Sequence, residues 1–400
     1  MSKSVRVLTV SSFFALLAAS SGTLQAQFPW AGARAVGMGG AQVAAVDDAT
    51  AAWSNPAALA RLPGWNVQVF GSGVASNRNN FLGTVDSLLN LPFDDIFNGS
   101  RPDLVPVLIS DLTSLAREDT SVLFAGAAGV VASYKGFALS AGTVPYAGIY
   151  PVIDLVHIVP GGPPPNGLEF NDTGLYLAGL NAREVRLAYG HGFFDNLLLV
   201  GGAGRVVLGR TYFERCTVFG NCENKDLSEI VREAFQENAF DTTKFAFDLG
   251  AQLNLGIFRL GVTGVSLNQP SFDMAPVAGA PASVPLPRQV RGGAAVDVLS
   301  FITVSADGDF LKADTLAPGV KSQQLSLGAE LKIPLFAFRV GGYTDFAATD
   351  QHWAYSVGVG FGVPLISVDA SVLLSPQGGV NPTDIDRLEL GAGVGVRLHF

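Results

Sequence analysis

The chain has 400 residues, of which 48% are hydrophobic and only 15% are charged, and its formal net charge is −9 at pH 7. This apolar content excludes an intrinsically disordered chain, and the acidic balance excludes a nucleic-acid-binding protein. Since a soluble domain typically carries about 25% charged residues, the composition indicates a protein that needs an apolar environment.

The first 26 residues have the pattern of a secretory signal peptide. Lys3 and Arg6 give a positive start, an apolar stretch follows over residues 7–19, and small residues lead to a cleavage site after Ala26. An apolar N-terminal strand or a membrane anchor is the alternative for this segment. After it, no run of 18 or more apolar residues occurs, so a helical membrane protein is not expected.

Residues 27–64 differ from the rest of the chain because they are rich in glycine and alanine and show no period of two. The glycines over 37–41 permit close backbone contacts, and Asp47 and Asp48 are suited to cap a short helix over the alanine-rich run. Pro56 then interrupts that helix. We predict a compact plug that folds into the lumen of a barrel, and an arm lying on the surface is the alternative.

Segments with a period of two dominate from about residue 120 onward. Residues 245–255 and 387–400, for example, place apolar side chains on one face and polar residues or glycines on the other. This alternation is typical of strands with one apolar face. A soluble sandwich also alternates. The predicted strands, however, have about ten residues, the length that crosses a bilayer at a tilt, and short turns alternate with long loops.

Fourteen strands can be placed, and an even number is expected for a bacterial outer-membrane barrel. We therefore predict an all-β fold, a 14-stranded antiparallel transmembrane β-barrel over residues 65–400 with a small N-terminal helical or coil plug. The last strand ends at Phe400, as is common in outer-membrane barrels. The predicted strands are 65–76, 121–134, 137–146, 175–192, 196–213, 243–255, 256–268, 288–298, 301–311, 322–333, 335–346, 353–363, 365–376 and 386–400.

The first long loop, residues 77–120, carries many apolar side chains for a loop. Exposed apolar patches usually mark binding sites, so a hydrophobic groove for ligand capture is one interpretation. Two helices packed against each other are the other interpretation. The residues that would form the groove include Leu88, Leu91, Phe93, Phe97, Leu108 and Leu112.

The third predicted strand contains Gly142 and Pro145. Proline cannot donate a hydrogen bond to a neighbouring strand, and glycine adds backbone freedom. A local break in the barrel wall, and with it a lateral gate, is therefore one interpretation. The other is that Pro145 ends the strand at the outer rim.

Two cysteines, Cys216 and Cys222, lie in the third long loop and are the only cysteines of the chain. In an exported protein they are expected to form one disulfide, with two free thiols as the alternative. Apolar residues at helical spacing over 227–235 predict an amphipathic helix on the same loop.

The alternation of the strands places several charged side chains on the lumen face. Such charges must pair or be hydrated, and their expected role is to hold the plug and cross-link the strands. A clamp for a ligand carboxylate, made by one or two arginines, is the alternative. The predicted lumen charges are Arg291, Arg339, Arg387, Arg397, Asp248 and Glu330.

No motif in the sequence predicts catalysis, a metal site or a cofactor. The four histidines and two cysteines do not have zinc-ligand spacing, and no phosphate-binding glycine loop joins a strand to a helix. The acidic pair Asp307 and Asp309 lacks the further oxygen ligands of an EF-hand loop. We expect neither an enzyme nor a bound metal or cofactor.

The N-terminal motifs resemble those of a known family. The stretch GMGGA at 37–41, followed by DDATAAWSNPAAL at 47–59, is similar to the N-terminal region of the long-chain fatty-acid transporter (FadL) family and its PorV-type relatives. Asn55, Pro56 and Ala57 match the NPA element of the hatch in that family. The signal peptide, the fourteen strands and the terminal phenylalanine extend the resemblance across the chain.

The resemblance implies a plugged barrel in the outer membrane of a Gram-negative-type bacterium. It further implies passive, gated uptake of hydrophobic compounds such as long-chain fatty acids, with capture at loop helices and lateral exit into lipid. A PorV-like role in protein secretion or surface display is the alternative that it leaves open. The expected partners are membrane lipids, a hydrophobic small-molecule ligand and the outer-membrane assembly machinery.

Overall fold

The structure is a computed structural model that describes residues 30–157, 171–218, 239–277, 279–349, 351–375 and 389–400. Fourteen antiparallel strands close into one barrel, which confirms the predicted fold class. Each predicted strand corresponds to one observed strand. The barrel strands are β1 (Trp65–Arg78), β2 (Ser121–Tyr134), β3 (Phe137–Val152), β4 (Gly174–Phe193), β5 (Leu198–Thr217), β6 (Ala239–Leu255), β7 (Phe258–Val265), β10 (Gln289–Val298), β11 (Ile302–Asp309), β14 (Gln324–Ile333), β15 (Phe336–Asp345), β16 (Trp353–Val363), β17 (Ile366–Leu374) and β18 (Glu389–His399).

Strands that follow one another in the barrel are joined by short turns at one end and by long connections at the other. In the β2–β3 turn, Lys135 and Gly136 both have positive φ, the backbone of the tight hairpin turns that match strand twist. Two small hairpins lie in the long connections. They are β8–β9 (Ser271–Asp273 with Ser283–Pro285) and β12–β13 (Ala313–Asp314 with Lys321–Ser322).

The wall has an apolar outer face. Along β16, Tyr355, Val357 and Val359 are exposed, whereas the alternate residues Ala354 and Ser356 are buried towards the lumen. This arrangement places apolar side chains against lipid and small or polar side chains inside, as in outer-membrane barrels. β1 and β18 pair along their length and close the wall, so no strand edge is left open.

The third strand is longer than the sequence predicts. It continues six residues beyond the predicted end at residue 146 and reaches Val152, because its outer part pairs with the first residues of β4. β4 and β5 have 20 residues each, two more than the 18 predicted for each of them and about twice the length that crosses a bilayer. These strands therefore extend the wall on the side of the long connections.

Residues 30–64, the described residues before β1, lie inside the barrel, and we refer to them as the plug. The plug contains helix α1 (Gly32–Gly37), the single turn α2 (Ala51–Ser54) and a 3-10 helix over Pro56–Arg61. Asp47 and Asp48 do not occupy the predicted capping position, because the residue directly before α2 is Thr50. The Asp48 carboxylate accepts a hydrogen bond from the N–H of Thr50 (2.9 Å). The side chain of Asn55 instead caps the 3-10 helix that begins at Pro56.

The first long loop folds into helices. They are α3 (Phe81–Leu89), α4 (Phe93–Phe97), a short 3-10 helix (Pro102–Leu104) and α5 (Val105–Leu115). Among the helices of the described residues, none has the length and apolarity to cross a bilayer.

Candidate functional site

One set of ion pairs joins the plug to the strands β14 and β15. The Glu330 carboxylate accepts hydrogen bonds from Arg34 of the plug and from Arg339, each at 2.7 Å. Asp47 of the plug pairs with Arg34 and Lys332. Burial opposes ionisation of Asp47, but the two cations hold the pKa of this carboxyl well below its usual value. The predicted lumen charges Glu330 and Arg339 thus lie where the plug is held.

A second, fully buried set of charges holds the other end of the plug against β4–β6. Arg186 donates to the Ala52 carbonyl (2.7 Å), and its guanidinium lies over the ring of Trp53, 4.5 Å from the ring centroid. The same guanidinium pairs with Glu184 (2.6 Å) and Asp248 (3.2 Å).

Arg205, on β5, contacts both of these carboxylates and completes the set. The sequence did not indicate Arg205 as a lumen charge. Glycines surround it in β5, so the strand alternates poorly and the face of its side chain cannot be read from the pattern.

Two of the three remaining predicted lumen charges, Arg291 and Arg397, also have partners inside the barrel. Arg291 contacts Asp309 (3.5 Å) and lies near Asp307, whose carboxylate accepts hydrogen bonds from the plug N–H groups of residues 42 and 43 (2.6 and 2.8 Å). Arg397 donates to Ser367 (3.2 Å). Arg387 lies outside the described residues. These contacts favour the cross-linking role of the lumen charges over a clamp for a ligand carboxylate.

The Trp53 ring of the plug lies against the wall where β2 meets β3. A side chain at Gly142 would bring its Cβ within 2.8 Å of this ring, and Gly129 of β2 also faces it. Trp53 is fully buried. The structure therefore gives Gly142 a contact role, because only glycine leaves room for the indole.

The hydrogen-bonded ladder between β2 and β3 is interrupted close to this contact. Residues 126–127 of β2 and 144–145 of β3 are unpaired, although the strands pair on both sides of them. β3 stays paired with β4 at Pro145. The backbone N–H that proline lacks would therefore have donated a hydrogen bond to β2. Because the strand continues to Val152, Pro145 interrupts the wall and does not end the strand at its rim.

A small cavity of about 20 Å³, which we call the inner cavity, lies beside this interruption. Its apolar side comes from β2, β3 and the β12–β13 connection, and its polar side from β1, β13, β15 and β18. The apolar side is formed by Leu123, Phe124, Tyr146, Ala147 and Leu316, and the polar side includes Ser76, Arg78, Ser322, Tyr343, Asp345 and Glu389.

A second space of about 10 Å³, the outer cavity, lies towards the rim. It shares Arg78, Asp345 and Glu389 with the inner cavity, and residues of the long connections, among them Asp119 and His352, form most of the rest of its lining. The two small cavities lie next to each other between the rim and the interruption between β2 and β3. Sequence reasoning did not identify this site, because its residues come from opposite ends of the chain.

The loop helices bury most of the side chains that the sequence assigned to a capture groove. Leu88, Leu108 and Leu112 are fully buried where α3 packs on α5, and Leu91 and Phe93 are partly buried against the same cluster. The side chain of Phe97 lies outside the described part of the chain. The structure therefore shows the alternative arrangement, two helices packed against each other, and an open groove is not present between the described side chains.

Cys216 lies at the end of β5, is buried and takes part in a disulfide. Cys222, the only other cysteine, lies outside the described residues. So do the predicted signal peptide and the predicted helix at 227–235.

Comparisons with known proteins agree with this architecture. A model of the family described as "F plasmid transfer operon, TraF, protein" matches residues 108–309, just over half of the chain. No curated protein sequence matches the chain. The structure is similar to the toluene transporter TodX of P. putida, with a TM-score of 0.52 and 12% identity over 94% of this chain and 99% of that one.

The CymD monoaromatic hydrocarbon channel is similar to the same degree, with a TM-score of 0.51 and 13% identity over 94% of this chain and 99% of that one. At such identities the likeness shows the fold alone. The barrel shares the fold of these two channels, and the fold that the resemblance in the sequence implies is confirmed.

Proposed function

The chain belongs to the family described as "F plasmid transfer operon, TraF, protein", and from its structure we propose that it is an outer-membrane channel for small hydrophobic compounds. The observation that carries this proposal is the break in the wall between β2 and β3 at Pro145, which has two small cavities on its lumen side. TodX, a toluene transporter, and CymD, a monoaromatic hydrocarbon channel, share the fold. We extend their class of ligand to this chain.

In the described part of the chain, the plug occupies the lumen, and Trp53 and the buried ion pairs around Arg186 and Glu330 join it to the wall. A sideways route between β2 and β3 leads instead into lipid, where burial of apolar surface is favourable by about 25 cal/mol per Å². Lateral exit at Pro145 therefore needs only a local widening of a ladder that is already interrupted.

The inner cavity, at about 20 Å³, has room for no more than one or two water molecules. A hydrophobic ligand therefore passes only when the route widens, and the cavity volume does not select among ligands. We propose small hydrophobic compounds as the ligands of this channel, with long-chain fatty acids as the finer expectation that the family resemblance implies.

Uptake of radiolabelled ethylbenzene tests the proposal. A Gram-negative host that produces the chain should accumulate the compound faster than the same host with an empty vector. Leu316→Trp, which enlarges a buried side chain that lines the inner cavity, should reduce uptake to the level of the empty vector. Ala132→Trp, a tryptophan on the lipid-facing side of β2, should leave uptake unchanged.

Equal uptake with and without the chain would refute the channel. A PorV-like role in secretion or surface display requires neither the cavities nor the break. It therefore predicts equal uptake of ethylbenzene by cells with and without the chain.

A further inference from the structure

We propose that the side chain of Phe124 closes the break between β2 and β3 on its lipid side and sets the width of the compounds that leave there. This inference rests on the proposed channel function and names the residue that controls its exit. Three features of the wall support it: the position of the ring, the small size of its neighbours and the small space behind it.

The ring of Phe124 lies on the outer face of the wall, directly at the break. Phe124 is 40% exposed, and Val130, on the same lipid-facing side of β2, is 44% exposed. A Cβ at Gly126, which has the same parity, would lie 3.3 Å from Cζ of Phe124 and 3.2 Å from Cγ of Pro145. Both rings therefore lie against Gly126, one of the residues whose pairing with β3 is missing.

The ring also reaches over the neighbouring strand β1. A Cβ at Gly73 would lie 3.3 Å from Cε2 of Phe124, and Gly73 pairs directly with Gly126. Glycine in a strand often marks a close approach of another group. The two glycines therefore form a shallow seat for the ring, because a side chain at either position would push against it.

The residues directly opposite Phe124 are small on both sides. They are Ala75 of β1 and Ala147 of β3. Large cross-strand neighbours hold an aromatic side chain in place, but an alanine methyl group offers little contact. The ring can therefore move to another staggered rotamer, and exposed side chains do so within picoseconds to nanoseconds.

A displaced ring would leave two glycines and two alanines around the upper end of the break. The size of the side chain at position 124 therefore determines how wide the opening beside Pro145 becomes. Gly126 and Ala147 contribute little to that width, because their own side chains are absent or short.

The space behind the ring shows that the route is closed in this conformation. Phe124 also lines the inner cavity, whose volume of about 20 Å³ holds no more than one or two water molecules. The same residue thus borders the cavity on one side and lipid on the other. Movement of its ring away from Gly126 would join the two.

Uptake of naphthalene and pyrene, two flat fluorescent hydrocarbons of different width, tests the inference in cells that produce the full chain. Phe124→Ala removes a ring that is held by partial burial, so naphthalene uptake should rise about fivefold. Pyrene uptake should rise by a larger factor, because the wider compound needs the wider opening. Phe124→Trp should lower the uptake of both compounds, and that of pyrene more strongly.

The matched control is Phe338→Ala, which removes the same ring from an unbroken part of the wall. Phe338 is 45% exposed, and it pairs with Leu331 of β14 and Val359 of β16. This variant should keep both uptake rates. Heat-modifiable gel mobility would show which variants fold. A smaller number of folded channels lowers both rates by the same factor, so the ratio of pyrene to naphthalene uptake reports the width of the exit alone.

An unchanged ratio in folded Phe124→Ala would overturn the inference, and so would an equal change of the ratio in Phe338→Ala. Either result would leave the channel itself standing. If the parent chain accelerates the uptake of neither ethylbenzene nor naphthalene, the proposed function fails and the inference fails with it.

Discussion

The break in the wall at Pro145 can be closed by a single substitution. Pro145→Val restores a backbone N–H on β3, on the side where pairing with β2 is interrupted. Valine also suits the extended backbone of a strand. If the break is the exit route, closing it should slow the release of ligand into lipid without affecting the rest of the barrel.

The magnitude follows from the number of hydrogen bonds that are regained. One backbone hydrogen bond contributes about 0.5–1.5 kcal/mol net, and 1 kcal/mol changes an equilibrium about fivefold. If ligand passes when the ladder between β2 and β3 is open, the open population should fall about fivefold. Uptake of radiolabelled ethylbenzene should fall by the same factor.

The matched control is Pro151→Val in the same strand. Pro151 pairs with Leu175 of β4, but the ladder with β2 has already ended at Ile149, so the restored N–H has no acceptor in β2. Heat-modifiable gel mobility would show that both variants fold. Uptake by Pro145→Val equal to that of the parent chain would refute a lateral exit at this strand, as would an equal loss of uptake in Pro151→Val.

Three further perturbations test how the plug and the loops are held. Arg186→Met leaves Glu184 and Asp248 with one arginine instead of two, so the free energy of unfolding in urea should fall by about 3 kcal/mol. An unchanged urea midpoint would show that these ion pairs do not stabilise the fold. Deletion of residues 27–64 should raise the conductance of planar bilayers, and unchanged conductance would place the segment outside the conducting path. Partial burial alone would raise the pKa of Asp154, but hydrogen bonds from His157 and backbone amides lower it to about 2. The stability that this carboxylate contributes is therefore present above its ordinary pKa of 3.8 and is lost as the pH falls towards 2, where amide hydrogen exchange over 153–157 should accelerate.

The fourteen strands could be predicted because alternation depends only on neighbouring residues. The same parity placed Glu330 and Arg339 on the lumen face, where the structure has them. The outer part of β3 was missed, because residues 147–152 contain no charged residue to mark an alternation and include a proline. Arg205 was missed because the surrounding glycines of β5 carry no side chains from which a face can be assigned.

The partners of the lumen charges and the cavities could not be predicted from the sequence. Arg78 and Asp345 are 267 residues apart, and they meet only because the closed barrel places β1 near β15. The first loop shows a related limit. Its leucines have the spacing of helices, but the sequence does not reveal that Leu88 and Leu112 face each other's helix instead of a ligand.

The seam between β1 and β18 also determines the order in which the molecule can assemble. Contacts across it join residues more than 300 positions apart, such as Ser76 and Glu389, and pairings of this separation form slowly. The plug immediately precedes β1 and lies inside the finished wall, so it has to enter while the seam is open. A barrel that closed too early would leave its own N-terminal segment outside, so we expect entry of the plug to precede or accompany the last pairing step.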